Sequence, residues 1–453
     1  MDIPILQYPT CIDNVSVALL SVFSTAQLEY FKKYITGLFT SANKTIAGIN
    51  RLYVLNRRNQ SSFNRFFTND NWDKDALNHH RLALLQTEEH TRTKKSGVVI
   101  VDDTHNEKYG ETFEKVAKLY DHSKGCYHFA HDLVTSHYSD DNTDYPLHFS
   151  AYEQMNIAHA LSLLDHAGVT YDVEKLRSYR PSIQRTKIWK LLKKHAIDHP
   201  FCDKNDQACH LIDQAIEHGC DGPFVFDTWF TVPKLTQHID AKGRRYVGQV
   251  KSSRTVLRKD GWQSIGEWTE QLLKDHNNPE HPKYHQVFRK TCFVFKGQKK
   301  TYWTFTKVIR VSKLGKQRLV ISFKTDTLSG HAKRYVSNNR QASAGEILQI
   351  GRHRWPIEPF YEVSKGFLGL DRYELRDFTS VEKHWALVFF AYTIIKLQNP
   401  DCIMRSGDDI QVTFGDGVRT IQKEIFEALC AYCYECGKQG GSYKDMIELL
   451  YPY

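Results

Sequence analysis

The chain has 453 residues, 41% hydrophobic and 13% aromatic, which is enough apolar surface for a large core spread over two to four units and excludes a disordered chain. The net charge is +9, yet the stretch from Lys234 to Arg340 carries 24 Lys plus Arg against seven Asp plus Glu, a local +17 that leaves about −8 elsewhere and points to a polyanion partner, nucleic acid above all. The longest apolar run near the start, 15–23, is too short to span a membrane and 1–21 lacks a basic leader, so the reading is a cytoplasmic protein with no membrane partner, its ten cysteines reduced and used for packing.

From about 14 to 85, apolar residues recur at spacings of three and four, which predicts helices. Lys44-Thr-Ile-Ala-Gly-Ile-Asn-Arg51 and Ser61-Ser-Phe-Asn-Arg-Phe-Phe-Thr68 read as two short helices joined by a polar turn. They form either a helix-turn-helix, with Arg57, Arg58 and above all Arg65 near DNA phosphates, or an ordinary bundle with surface arginines. At Gly97 the pattern changes. Val98-Val-Ile-Val101 predicts a buried strand that ends at Asp102-Asp103-Thr104, with acids at its mouth. Strands follow around 127–136 and 147–152, and helices over about 183–195 and 206–218. Next come Pro223-Phe-Val-Phe226, a short apolar run ending in Asp227, and a further strand over 245–250. Strands with intervening helices indicate an α/β domain with mixed pairing.

Between about 253 and 336 that order is interrupted by polar, helix-like residues and then β-rich runs at 287–295, 301–311 and 318–324, which read as an inserted, basic β-subdomain. Helical periodicity resumes at Ala344, and the apolar helix 381–397 is expected to pack on the sheet. In the last helical region, 421–450, Cys430, Cys433 and Cys436 share one helical face, where cysteine serves as a small hydrophobe more readily than as a zinc ligand. The expected organisation is a helical, DNA-binding region at 1–92, a catalytic domain in two parts at 93–252 and 341–400, the insertion at 253–340, and a helical region at 401–453.

Two acids ending adjacent buried strands bring their oxygens close together, where mutual repulsion needs a cation, and oxygen-only ligands suit magnesium or manganese. A third acid stands in Arg354-Trp-Pro-Ile-Glu-Pro-Phe-Tyr-Glu-Val-Ser-Lys365. Arg354 lies four residues before Glu358 and Lys365 seven after, so on a helix all three share one stripe. Such a stripe suits a metal-bound carboxylate beside a phosphate, and it is also common on solvated salt-bridge faces. Pro356 and Pro359 place the start of that helix near Trp355, with Arg354 before it.

The run 351–365 resembles the signature around the last catalytic glutamate of DDE transposases of bacterial insertion sequences, in the insertion sequence 4 superfamily and its insertion sequence 701 branch. That signature reads Tyr, two residues, Arg, three residues, Glu, six residues, Lys. Arg354, Glu358 and Lys365 match in identity and in both gaps, whereas Gly351 stands where the family has tyrosine. The strand 98–101 with Asp102-Asp103-Thr104 resembles the first acid motif, Asp102 matching its Asp-x-Thr pattern and Asp103 being the rival. Phe224-Val-Phe-Asp227-Thr resembles the second. The basic interval between Asp227 and Glu358 is similar to the β-strand insertion that these transposases carry.

Over about 97–397, this resemblance implies an α/β, ribonuclease H-like mixed sheet with helices, interrupted by an inserted β-rich subdomain and flanked by helical terminal regions. It also implies that Asp102, Asp227 and Glu358 are catalytic and hold two Mg2+ or Mn2+ ions, with Arg354 and Lys365 gripping phosphates. The implied partners are double-stranded DNA, as the element's terminal inverted repeats and as target DNA, held by a dimer located on the nucleoid. Tyr302, Trp303 and Phe305 are candidates for holding a base out of the stack, and more readily for half-buried strand positions. A metal-dependent nuclease that never joins strands, or a binding-only relative, fits the same residues. A glycoside hydrolase using Asp227 and Glu358 suits the aromatic content but not the +17 segment.

Overall fold

Four consecutive β-branched residues at 98–101 open the strand around which the molecule is built. The computed structural model describes residues 3–55, 59–110, 112–121, 124–398 and 413–450. Helices α1 (Thr10–Ser16), α2 (Thr25–Thr40), α3 (Ile46–Arg51), α4 (Gln60–Thr68) and α5 (Lys74–Thr87) come first. Strands β1 (Val98–Lys108), β2 (Ala117–Asp121), β3 (Cys126–Ser139) and β4 (Asp144–Tyr152) follow, then helices α6 (Ile157–His166), α7 (Val173–Arg177), α8 (Pro181–Lys194) and α9 (Lys204–Glu217). Next are β5 (Phe224–Phe226), α10 (Pro233–Ala241) and β6 (Tyr246–Gln249). The insertion holds β7 (Thr255–Arg258), β8 (Gly261–Ser264), α11 (Ile265–Asn277), β9 (Arg289–Phe295), β10 (Gln298–Val311), β11 (Gly315–Phe323) and β12 (Lys333–Ser337). The remaining helices are α12 (Ala344–Arg352), α13 (Ile357–Gly366), α14 (Phe378–Leu397), α15 (Phe414–Lys438) and α16 (Tyr443–Leu450).

The sheet runs β2-β3-β1-β5-β6-β12-β11-β10-β7-β8, with β4 also on β3 and β9 also on β10. β5 lies parallel to β1 and β6 parallel to β5, and the other pairings are antiparallel. This is the expected α/β, ribonuclease H-like mixed sheet with helices around it.

Two features differ from the sequence reading, and a third decides between two alternatives it left open. β1 does not end at Asp102 but continues to Lys108, because β3 pairs with it from Val98↔Ser139 to Lys108↔Phe129. The continuation, Asp102 to Lys108, contains no apolar residue, so hydrophobic patterning reads it as loop. The strands after β6 extend the same sheet: β12 pairs with β6, and β11, β10 and the β7–β8 hairpin follow outward. Lastly, α3 and α4 are joined by residues 52–59, longer than the three- or four-residue turn of a helix-turn-helix. They bury Ile46, Ile49, Phe63, Phe66 and Phe67, and α4 packs on α14, which is the bundle arrangement. Arg57 and Arg58 lie outside the described residues.

Helix α14 is apolar all round because it sits between layers, with α2, α4 and α5 on one side and β4 on the other. Fully buried Arg81 ties these layers together. Its guanidinium donates to Asn78 Oδ1 at 2.7 Å, the Leu147 carbonyl at 2.7 Å and Thr393 Oγ1 at 3.0 Å, so that α5, β4 and α14 share one polar clamp. Among the described residues the cysteines are free thiols, and the packing role holds for buried Cys209 and Cys220 and for Cys11, which packs on the core. Cys430 is exposed, and Cys433 and Cys436 are half-buried. No described helix is long and apolar enough to cross a membrane.

Candidate active site

The register between β1 and β5 ends at Val101↔Phe226, so the next residues in each strand, Asp102 and Asp227, stand side by side. Gly222 makes the approach possible: a Cβ there would lie 1.6 Å from the Gly97 carbonyl oxygen, and only glycine lets β5 enter alongside β1. Just past β5 the chain turns back on Asp227. Its Oδ1 accepts backbone N–H groups from Trp229 at 2.8 Å and Phe230 at 3.0 Å, and Thr231 Oγ1 donates to its carbonyl at 2.6 Å. Burial raises the Asp227 carboxyl above the usual aspartate range despite these donors.

Side chains alternate across a strand, so Asp102 and Thr104 face α13 while Asp103 and His105 face the other way. Arg354 precedes α13, as its prolines predict. It spans two acids, Nη1 donating to Asp102 Oδ2 at 2.8 Å and Nη2 to Glu358 Oε1 at 2.9 Å. Glu358 is half-exposed in the first turn of α13, where the helix dipole favours an acid. Farther along that helix, Lys365 Nζ donates to Thr104 Oγ1 and to the His105 carbonyl, each at 2.7 Å. A 2.6 Å bond between Tyr361 Oη and Thr135 Oγ1 holds the helix on β3. Burial pushes the Asp102 carboxyl up to about 7. Arg354 opposes the rise, and the neighbouring charges of Asp227 and Asp103 add to it.

The opposite face of β1 carries a group that sequence reasoning missed. Lys204, the first residue of α9, donates to Asp103 Oδ2 at 2.8 Å and pairs with fully buried Asp132. His105 Nδ1 lies 2.9 Å from His128 Nε2, and His105 Nε2 lies 3.7 Å from Asp132. Asp103, His105 and Asp132 each offer a ligand atom, all within 4.8 Å of one another. Burial raises Asp132 to about 7 against the pull of Lys204. The missing signal was register, since only the pairing His105↔Asp132 brings the second aspartate to Asp103 and His105. This group opens on a cleft of about 860 Å³, lined by Asp103, Asp132, Lys204, Asp227 and Lys365 among others; Asp102, Arg354 and Glu358 are not in its wall.

The first group offers the donor chemistry of a divalent cation, but unlike Asp103, His105 and Asp132 its three carboxylates do not bring their oxygens all within 4.8 Å of one another. Asp102, Asp227 and Glu358 form an oxygen-only set, and burial raises the carboxyls of the two aspartates, with Arg354 opposing the rise and neighbouring acids adding to it. The second group is a mixed nitrogen and oxygen set and already holds the Lys204 ammonium.

Other sequence candidates fall elsewhere. Arg65 stays exposed on α4, its guanidinium 2.8 Å from Ser62 Oγ, and no described hydrogen bond or ion pair links it to the carboxylates. Tyr302 is buried and stacked on Phe293 at 5.8 Å, and Phe305 packs edge-on against Trp268 at 5.2 Å. With Trp303 also packed on the core, these three are the strand residues of the plainer reading, Trp303 and Phe305 half-buried and Tyr302 buried. At Gly351, where the signature has tyrosine, a Cβ would come 2.8 Å from the Tyr335 ring, so β12 has filled the space from the other side.

Two family models match the chain. One, for DDE superfamily endonucleases, covers residues 18–263; the other, for a transposase DDE domain, covers 202–394. Asp102 and Asp227 lie within the first, Asp227 and Glu358 within the second. No curated protein matches.

Proposed function

The chain belongs to the DDE superfamily endonucleases, and from that premise we propose that it is a DNA transposase of the insertion sequence 4 superfamily, insertion sequence 701 branch, with Asp102, Asp227 and Glu358 as its catalytic carboxylates. The observation that carries this reading is the side-by-side placement of Asp102 and Asp227 on parallel strands, with one guanidinium joining Asp102 to Glu358.

Two Mg2+ or Mn2+ ions held by these carboxylates would supply activation of the attacking oxygen and charge relief on the leaving oxygen. The protein's own groups do the rest. Arg354 offers planar, paired N–H donors beside the carboxylates, the shape that suits a phosphate. Lys365 fixes the polar half of β1 through Thr104 and His105 and adds positive charge to the cleft. Water attacks first at the element end, and the freed 3′-hydroxyl then attacks target DNA in the same in-line geometry. The region 1–92, with Arg65, and the insertion 253–340 bind the terminal inverted repeats mainly through phosphates, around a two-part catalytic domain at 93–252 and 341–400. Two ends must be held together, which requires a dimer on the DNA, working in the cytoplasm at the nucleoid; the region 401–453 completes the chain.

The test is cleavage of the DNA flanking this reading frame, with magnesium and with EDTA, by wild type and Glu358→Ala. Metal-dependent nicking at the element ends that disappears in the variant, followed by joined products, is the expected result. A variant that cuts like wild type removes Glu358 from the mechanism, and cutting without joining reduces the activity to that of a nuclease.

A second reading of the first acid has its own observation: Asp103, not Asp102, lines the cleft with Asp227. In that reading Asp103, His105 and Asp132 hold the cation after Lys204 withdraws.

A further inference from the structure

On the other side of Arg354, the inserted strands and the turn between α12 and α13 enclose a second cavity of about 310 Å³. Its wall contains Lys296, Lys324, Lys333, Arg352 and Arg354 and no acidic residue. Arg354 is occupied by Asp102 and Glu358. Arg352 donates to Tyr302 Oη and lies 5.0 Å over the Phe295 ring, interactions that orient it without neutralising it. Among the described residues, Lys296, Lys324 and Lys333 form no ion pair.

Elsewhere in the protein, partly buried lysines are matched either by acids or by acceptor oxygens: Lys108, Lys365 and Lys383 donate to backbone carbonyls. Lys204 has Asp103 and Asp132, Lys234 has Asp203 and Asp206, and Lys396 has Asp144. The cavity lysines are exposed and face one another instead: burial and then the charges of Lys324, Arg354 and Arg352 push Lys333 below the usual lysine range. Such a convergence of like charges without a counter-ion destabilises the fold unless an anion enters. Gly351 and the Tyr335 ring in contact with it shape the floor, and exposed Trp355 stands at the edge.

We propose that this cavity is a phosphate subsite, in which Lys324, Lys333 and Arg352 hold a backbone phosphate of the DNA strand close to the one cut at the carboxylates. The proposal rests on the DNA-processing reading above and extends it. Arg354 lines the cavity and also bonds the carboxylates, so one strand can run from one to the other. The bound group is a singly charged phosphodiester, matched at once by cations just past β11, at the start of β12 and at the end of α12.

The experiment measures binding of a fluorescent thymidine dodecamer to the full chain across a salt series. Taking one cation away from a single-strand phosphate lowers the slope of log affinity against log salt by about 0.7. Lys324→Ala/Lys333→Ala/Arg352→Ala is therefore expected to lower the slope by about 2 and to weaken binding at low salt by roughly tenfold or more. Lys324→Gln/Lys333→Gln, which spares Arg352 and touches only exposed side chains, is expected to lower it by about 1.4. A triple variant removing equal charge from α8, at Lys187, Lys190 and Lys194, controls for net charge. If the cavity variants fall no further than this control, the subsite is wrong while DNA binding stands; if wild type does not bind the dodecamer, the DNA reading itself fails. Inorganic phosphate is titrated alone as the other source of the anion. Micromolar phosphate binding that disappears in the cavity variants, with their DNA slope unchanged, would overturn the proposal in favour of a free-anion site.

Discussion

The two faces of β1 carry the same problem and solve it differently. On each, a largely buried aspartate has its carboxyl raised to about 7: Asp102 on one side, and Asp132, cross-strand neighbour of His105, on the other. Lys204 meets Asp132 and Asp103 directly, one ammonium shared by two acids, and apart from that ion pair the buried Asp132 oxygens have no hydrogen-bond partner among the described residues. On the Asp102 face, one guanidinium is divided between Asp102 and half-exposed Glu358, while Asp227 relies on backbone N–H groups and has no cation within ion-pair distance among the described residues. The lesson is that a cluster of acids by itself does not mark a metal centre. What distinguishes the two faces is Asp227, an extra acid that no described cation meets.

The largest expected effect lies on the under-compensated face. Asp227→Asn should lower the rate of end nicking by about a thousandfold or more, with folding intact; a loss below tenfold would remove the parallel-strand pair from the chemistry. On the other face the effect should fall on stability. Lys204→Ala strands Asp103 and buried Asp132 and is expected to cost about 3–5 kcal/mol in urea unfolding, much of it recovered by adding Asp132→Asn. An unchanged midpoint would mean that Lys204 is not the resident counter-ion.

Thermal melts against pH sharpen the same contrast. Because folding raises the Asp102 carboxyl from the usual value of about 4 to about 7, the folded state holds the proton more tightly, and the stabilisation present at low pH is lost as pH rises through that window. Metal-free wild type should therefore melt below Asp102→Asn at pH 8 and level with it near pH 4. Magnesium at pH 8 should close the gap by raising wild type alone. The smallest effect is expected at Gly351→Ala, where a methyl 2.8 Å from the Tyr335 ring must push it aside, at a cost of about 1–3 kcal/mol in unfolding.

Patterning and spacing made much of this site legible. The apolar run before Asp227 is β5, and the Arg-Glu-Lys spacing places Glu358 at the start of a helix with Arg354 just before it. The polar half of β1 was hidden because its strand character comes from pairing with β3 rather than from its own residues. The Asp103, His105 and Asp132 group was hidden for the same reason, since cross-strand register is not written in local sequence. The insertion showed its strands but not their continuity with the catalytic sheet, which depends on β12 meeting β6 across some 90 residues. Gly351 read as a missing tyrosine, whereas in the fold it is the space that Tyr335 occupies.

The most direct test is a side-by-side assay of magnesium-dependent nicking at the element ends by Asp102→Asn and Asp103→Asn. The account predicts that Asp102→Asn abolishes nicking while Asp103→Asn, folded and DNA-bound, keeps it within about tenfold of wild type. Nicking that survives in Asp102→Asn and vanishes in Asp103→Asn would contradict it and move the metal to the face that Lys204 now holds.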